Sequence, residues 1–254
     1  MTRKVAIIGA GPAGIEAAVN LSQMGIEVAL IEKQPKTGGK LLLWDRLFPN
    51  KRPASEILSY LDHTLNDKIS LLTSTEVESV YKNSHGFTLN LSGKSTITAD
   101  AVLLTTGFKL FDAHRKEEYG YGIYDNVITS ADLEDRFKQS AQLITARGLP
   151  VKRIGFIHCV GSRDEKVGNP YCSKLCCITA VKQAIEVKEY DPSVQAFCFY
   201  MDLRMFDLSF EALYKEAQEK HGITFVRGRL SEAAENADGS LIVKVEDTLL
   251  GKPL

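Results

Sequence analysis

Hydrophobic and polar positions along this chain switch repeatedly between two periods. Lys4-Val5-Ala6-Ile7-Ile8 is a short apolar run of the kind that forms a buried parallel strand. Small or apolar residues then recur at helical spacing, at Ala13, Ala17, Leu21 and Met24, and Gly25 stands where such a helix stops. Ile26 to Ile31 predicts the next strand, with Glu32 at its end. Ile57, Leu58, Leu61 and Leu65 predict a helix over 54–65. Residues 76–81, 86–91 and 95–104 alternate or run apolar between turn residues Asn83, Gly86 and Gly93, which predicts a small sheet. Between 108 and 150 the pattern loosens. Tyr119-Gly120-Tyr121-Gly122 reads as turns rather than an aromatic recognition box, and a helix is predicted from Asp132 to Ala146.

A second α/β series begins at Val151. It predicts a strand over Arg153–Ile157, a helix from Ser173 to Tyr190, a strand over Val194–Tyr200, a helix from Phe210 to His221 and a strand over Ile223–Val226. Asp238-Gly239 then forms a hairpin-type turn into Leu241–Val245. The expected fold class is α/β with two Rossmann-like dinucleotide-binding-type domains. The expected boundaries are 1–112 for a first domain, 113–150 for a connector and 151–254 for a second domain.

Composition narrows the function classes. The 254 residues carry a formal net charge of −1, so no electrostatic footprint for nucleic acid or an anionic membrane is present. No apolar run is long enough to predict direct membrane insertion. The first strand starts so close to Met1 that no secretory leader is expected. The expected location is therefore the cytoplasm, where cysteines stay reduced and serve metal or redox chemistry rather than structural disulfides.

The first strand runs into Gly9-Ala10-Gly11-Pro12-Ala13-Gly14, a G-x-G-x-x-G. Gly9 allows the tight turn, Gly11 lets the backbone approach a pyrophosphate, and Gly14 lets helix and strand pack closely. The helix N-terminus, opened by Pro12 and Ala13, presents unpaired N–H groups to phosphate. Glu32, with Lys33 beside it, stands where a carboxylate accepts hydrogen bonds from ribose hydroxyls. Strand, glycines, helix, second strand and acid occur in order, so a dinucleotide is expected, either FAD or NAD.

Four of the five cysteines, Cys159, Cys172, Cys176 and Cys177, fall in one segment spaced C-x12-C-x3-C-C. By residue type alone three readings stay open: an iron–sulfur cluster, a dithiol such as Cys172 with Cys176, or inert buried thiols. Zinc is disfavoured because no C-x2-C knuckle occurs. With the helix starting at Ser173, Cys172 and Cys176 are expected near one helical face. Cys198 lies in a strand and reads as core.

Several stretches resemble known families. Gly38-Gly39-Lys40, and Ala101 to Thr105 followed by Thr106-Gly107, are similar to the second glycine pair and the ATG-type motif of FAD proteins of the glutathione-reductase type. Val77 matches the position that touches adenine through its backbone there. His158-Cys159-Val160-Gly161-Ser162-Arg163-Asp164, Asn169 through Cys177, and Lys182-Gln183-Ala184 resemble the A subunits of heterodisulfide reductase and of the quinone-interacting membrane-bound oxidoreductase. Gly120-Tyr121-Gly122 with Asn126 to Thr129, and Val245 to Gly251, are further stretches of that likeness.

The resemblance implies FAD in the first domain and one [4Fe–4S] cluster near the flavin, held by Cys159, Cys172, Cys176 and Cys177. It places Lys182 close to the flavin, where a cation tunes its potential; a solvated helix lysine is the rival reading. Arg163 and Asp164 are read as loop caps, and Arg204 as contacting either the cysteine loop or a partner. The implied activity is that of an FAD-dependent electron-transfer oxidoreductase. Its partners would be other redox subunits, heterodisulfide-reductase-like B/C or quinone-interacting, with a homodimer also compatible. A non-catalytic scaffold role in such a complex, or a thioredoxin-reductase-like dithiol oxidoreductase, are the alternatives. Two departures stand out. The ferredoxin-like cysteine motifs of the large family members do not occur here. The chain also stops at Gly251-Lys252-Pro253-Leu254, where the family returns to finish its FAD domain, so weak FAD binding is expected unless another chain supplies that segment.

Overall fold

The structure is a computed structural model describing residues 3–139 and 142–253. It divides into two units, Met1–Asp45 with Pro53–Lys109, and Arg46–Arg52 with Leu110–Leu254.

The first unit is built on a four-stranded parallel sheet. Strands β1 (Lys4–Ile8) and β2 (Glu27–Ile31) flank helix α1 (Pro12–Gln23) in sequence; helix α2 (Ala54–Thr64) leads to β3 (Ile69–Leu72). An antiparallel sheet of β4 (Val77–Asn83), β5 (Gly86–Leu91) and β6 (Ser95–Ala99) follows, and β7 (Ala101–Leu104) returns to the first sheet. The parallel order is β3-β2-β1-β7. The two sheets meet over a core that includes Ala6, Ile31, Leu89, Leu91 and Ala99.

The single strand expected over 95–104 is thus two strands in two sheets. Asp100 sits at the break: its carboxylate takes the Lys4 backbone N–H at 2.7 Å, while its own N–H donates to Lys4 O. An apolar run reads the same whether it continues or turns a corner, so periodicity could not find this joint.

The second unit carries helix α3 (Ser130–Lys138), strand β8 (Arg153–Ile157), helix α4 (Cys176–Tyr190), strand β9 (Gln195–Tyr200), helix α5 (Leu208–Glu219) and strand β10 (Thr224–Arg227). Strands β8, β9 and β10 form a parallel sheet in that order. A hairpin of β11 (Leu230–Glu235) and β12 (Leu241–Asp247) follows, with Lys252–Pro253 pairing onto β12.

The α3 prediction needs correction. The helix opens on a capping box, Thr129 with Asp132, and ends at Lys138. Residues 140 and 141 of the predicted helix lie outside the described residues, and Ile144 bridges to Pro150 in extended form. Residues 113–150, expected as a connector, group with the second unit, and so do 110–112, expected in the first domain, and 46–52 from the first half of the chain.

Helix α4 organises the second core. From Cys177 to Val187 all but one of its residues are buried, among them Ile178, Val181, Ala184 and Ile185 at essentially zero exposure. A helix buried around most of its circumference must place its polar residues against partners. Lys182 Nζ donates to Arg46 O at 3.0 Å and to Glu134 Oε1 on α3. It also lies 3.0 Å from Glu186 Oε2. Gln183 Nε2 donates to Glu134 Oε1 and to Ser130 O.

Candidate functional site

In the first unit, the predicted dinucleotide residues gather at the carboxyl ends of parallel strands. Gly9 to Gly14 follow β1, Glu32 follows β2, and Thr106-Gly107 follow β7. Glu32 is buried, and its two carboxylate oxygens accept the Ala10 N–H at 2.8 Å and the Gln34 N–H at 2.9 Å. Gly38 N–H donates to Ala10 O, which lays the 38–40 loop along the glycine turn. Lys40 Nζ lies 5.9 Å from the Phe108 ring centre. Pro12 is the first helical residue of α1, with Ala13 exposed behind it; no side chain caps this end. Val77 is half-buried at the start of β4, near Thr75, whose N–H donates to Glu32 O. Lys33 is exposed, and Thr106 and Gly107 stand exposed past β7.

The three fingerprint glycines have different causes. A Cβ on Gly9 would stand 2.5 Å from Thr105 O, and one on Gly14 would stand 1.9 Å from Gly9 O. Both are required by the chain's own packing. Gly11 is not: its φ of −75° suits any residue, and a Cβ there meets no atom within 4 Å. The backbone at Gly11 is therefore left open on its Cβ side. Thr105 was missed as a site residue. Its hydroxyl donates to Gly9 O at 2.7 Å and lies 3.0 Å from Ile8 O, holding the glycine turn against β7. Only its place directly before Thr106-Gly107 hinted at this.

In the second unit, the cysteine loop leaves the carboxyl end of β8 and enters α4. Cys159 sits directly after His158; Cys172 lies in the loop; Cys176 and Cys177 open the helix. The helix starts three residues later than predicted, so Cys172 and Cys176 do not share a helical face. The backbone at Leu175 is already near-helical, but no side chain caps it, and Cys172 Sγ instead accepts the Lys174 N–H at 3.3 Å.

Hydrogen bonds close the loop on itself. Arg163 N–H donates to Tyr171 O, Asp164 and Asn169 exchange backbone hydrogen bonds, and Asn169 Nδ2 donates to Gly161 O at 2.9 Å. Ser162 Oγ donates to Tyr171 O and accepts the Ser173 N–H. Asp164 is more than a cap. It is buried and binds Lys116 Nζ at 2.8 Å and Arg229 at 3.1 Å, and the lysine holds its carboxyl below the usual range. Cys159, Arg163 and Lys174 all have left-handed backbones, with φ of 60°, 54° and 61°. Each such residue costs about 1–3 kcal/mol and persists only where surrounding contacts enforce it.

Electrostatically, Cys176 answers first to Cys159 and then to Cys177. Two thiol donors pull Cys176 well down into the thiolate range, and their own protons are held correspondingly tightly. Its place at a helix N-terminus acts in the same direction. A tetrahedral zinc site needs sulfurs about 3.8 Å apart. Among the described residues, no three cysteine sulfurs lie within 4.8 Å of one another. The three groups that do converge, Glu189, Glu216 and His221, receive Lys51 Nζ at 2.8 and 3.0 Å from the two glutamates.

The segment after β9 also touches the loop. Cys177 Sγ donates to Asp202 O at 3.7 Å, and Asp202 pairs with Arg163 at 2.9 Å. The Arg204 backbone N–H opposes the rise that Cys176 and burial impose on the Cys177 thiol. Lys182 is 2% exposed, so the solvated reading fails: its charge is set between Glu134 and Glu186. Cys198 is fully buried in β9. No helix among the described residues is long and apolar enough to cross a membrane.

Comparison with known proteins agrees with this layout. The A subunit of the H(2):CoB-CoM heterodisulfide,ferredoxin reductase of Methanothermobacter marburgensis is 32% identical over 98% of this chain and 51% of its own length. The iron-sulfur A subunit of the CoB--CoM heterodisulfide reductase of Methanocaldococcus jannaschii is 31% identical over 97% and 51%. The chain therefore spans about half the length of these relatives. The first alignment runs over 335 positions, more than this chain's 254 residues, so that relative carries internal segments missing here. Among solved structures, thioredoxin reductase of T. acidophilum shares the fold, with a TM-score of 0.62 at 21% identity over 99% of this chain and 73% of its own. Residues 3–251 match the family model for pyridine nucleotide-disulphide oxidoreductases, and the chain belongs to that family of FAD-dependent oxidoreductases.

Proposed function

We propose that this chain is the flavin- and cluster-bearing part of an electron-transfer oxidoreductase of the heterodisulfide reductase A type. The cysteine loop carries the reading. Four cysteines come from one internally bonded loop, strained at Cys159, Arg163 and Lys174, and from one helix start, with a thiolate-favouring position at their centre. Of the relatives, that of Methanocaldococcus jannaschii is named an iron-sulfur subunit. Flavin, when bound, exchanges electrons singly or in pairs, and a [4Fe–4S] cluster takes them one at a time.

In the first unit, Gly11 leaves space beside the backbone, and the uncapped start of α1 offers N–H donors to pyrophosphate. Glu32 accepts two backbone N–H groups and keeps lone pairs for ribose hydroxyls. In the second unit, Cys159, Cys172, Cys176 and Cys177 would be the thiolate ligands. Arg163, paired with Asp202, adds positive charge beside them. The partners in this reading are other redox subunits of a heterodisulfide-reductase-like complex.

The test is anaerobic reconstitution of the full chain with iron, sulfide and FAD. The expected result is about one flavin and about four irons per chain. Replacing Cys176 and Cys177 together by serine removes the iron and leaves the flavin. Iron that stays at background in the unaltered chain contradicts the cluster.

A further inference from the structure

His158 directly follows β8 and directly precedes Cys159. Its backbone is accounted for, because its N–H donates to Phe199 O at 3.0 Å. Its side chain is not. The residue is 6% exposed, and neither Nδ1 nor Nε2 has a hydrogen-bond partner. The neighbouring aromatic ring, Tyr200, has its centre 6.4 Å away and offers contact rather than an acceptor there. An imidazole carries an N–H in every protonation state, and burying it without an acceptor forfeits its hydration with no return. Orphaned buried donors are rare enough in folded proteins that each needs an explanation.

The explanation lies in where the ring stands. His158 is buried at the point where the strand passes into the cysteine loop, one residue before Cys159. Four cysteines already complete an all-thiolate ligand set, so the imidazole is not needed as a ligand. An anionic iron–sulfur cluster presents sulfur acceptors on every side.

We propose that the His158 ring N–H is a hydrogen-bond donor to the cluster held by the cysteine loop, and that it sets the cluster's potential. The inference rests on the cluster reading above. His158 is a positioning residue in this account: it neither binds iron nor carries electrons. Hydrogen bonds to cluster sulfur favour the more negative, reduced state and so raise the potential.

The experiment is an EPR-monitored redox titration of the full chain, reconstituted anaerobically, for the unaltered protein, His158→Phe and His158→Gln. His158→Phe keeps its iron but is reduced about tenfold less favourably, a shift of about 59 mV for one electron. The flavin midpoint stays in place. His158→Gln keeps an N–H and recovers most of the shift. Pulsed EPR on the reduced, unaltered protein labelled with 15N-histidine shows a weak nitrogen coupling.

An unchanged potential in an iron-replete His158→Phe overturns the inference and leaves the cluster reading intact. Absence of iron from the unaltered protein overturns both. Where His158→Phe fails to hold iron, the labelled unaltered protein decides: coupling supports the donor, and its absence overturns it.

Discussion

At the scale of single residues, Gly14 and Gly11 of the fingerprint separate folding from binding. Gly14→Ala forces a methyl into Gly9 O, 1.9 Å away, and should cost about 1–3 kcal/mol in urea unfolding of the flavin-free chain. Gly11→Ala meets nothing in the chain and should leave that stability within about 0.5 kcal/mol. Its effect should instead appear as a loss of FAD affinity of about tenfold or more in a fluorescence titration. Equal FAD affinity for Gly11→Ala and the unaltered chain would remove Gly11 from the cofactor site.

Glu186 makes a second prediction. Burial raises its carboxyl to about 7 against an ordinary 4.5, with Glu134 adding to the rise and Lys182 and Arg46 opposing it. A raised carboxyl means that the folded state holds the proton more tightly than the unfolded one. Its contribution is complete below pH 4.5 and is lost as pH rises to about 7, by about 3 kcal/mol in all. Glu186→Gln should therefore gain stability relative to the unaltered chain between about pH 5 and pH 8. A pH-independent difference between the two urea midpoints would refute the assignment.

At the scale of elements, the cysteine loop depends on contacts far apart in sequence. Asp164 reaches Lys116 and Arg229, and no local pattern announces either partner. Asp164→Ala leaves buried Lys116 with Glu118 as its remaining carboxylate, at a cost of about 1–3 kcal/mol. Iron retention after reconstitution should fall several-fold while the far-ultraviolet helix signal stays constant. Full iron retention would show that the loop is held without this pin.

The sequence revealed the elements but not their joints, for a physical reason. Helix α4 is legible from its apolar residues, yet it begins at Cys176 rather than Ser173, and no glycine or proline after Pro170 marks that start. The strain that ends the loop sits on Lys174, a residue type that gives no warning of a left-handed backbone. The same limit merged β6 with β7. By contrast, the fingerprint from β1 to Glu32 was fully legible, since its glycines, helix start and acid are local and ordered.

At the scale of the whole molecule, chain order and spatial grouping part company. Residues 46–52 belong with the second unit although the first unit continues after them, and the expected connector folds into the second unit. Lys51 shows how: it pairs with Glu189 on α4 and Glu216 on α5. These ion pairs join segments more than a hundred residues apart, which no hydrophobic period records. Family membership rests on residues 3–251, nearly the full length, so both units take part in it.

The central claim is that the four clustered cysteines hold iron and sulfide in this chain. Low-temperature EPR of the anaerobically reconstituted, dithionite-reduced protein tests it most directly. The expected spectrum is that of a reduced [4Fe–4S] cluster at about one spin per chain, lost when Cys176 and Cys177 are both replaced by serine. A silent spectrum, with iron at background and the four thiols still titratable, would contradict it.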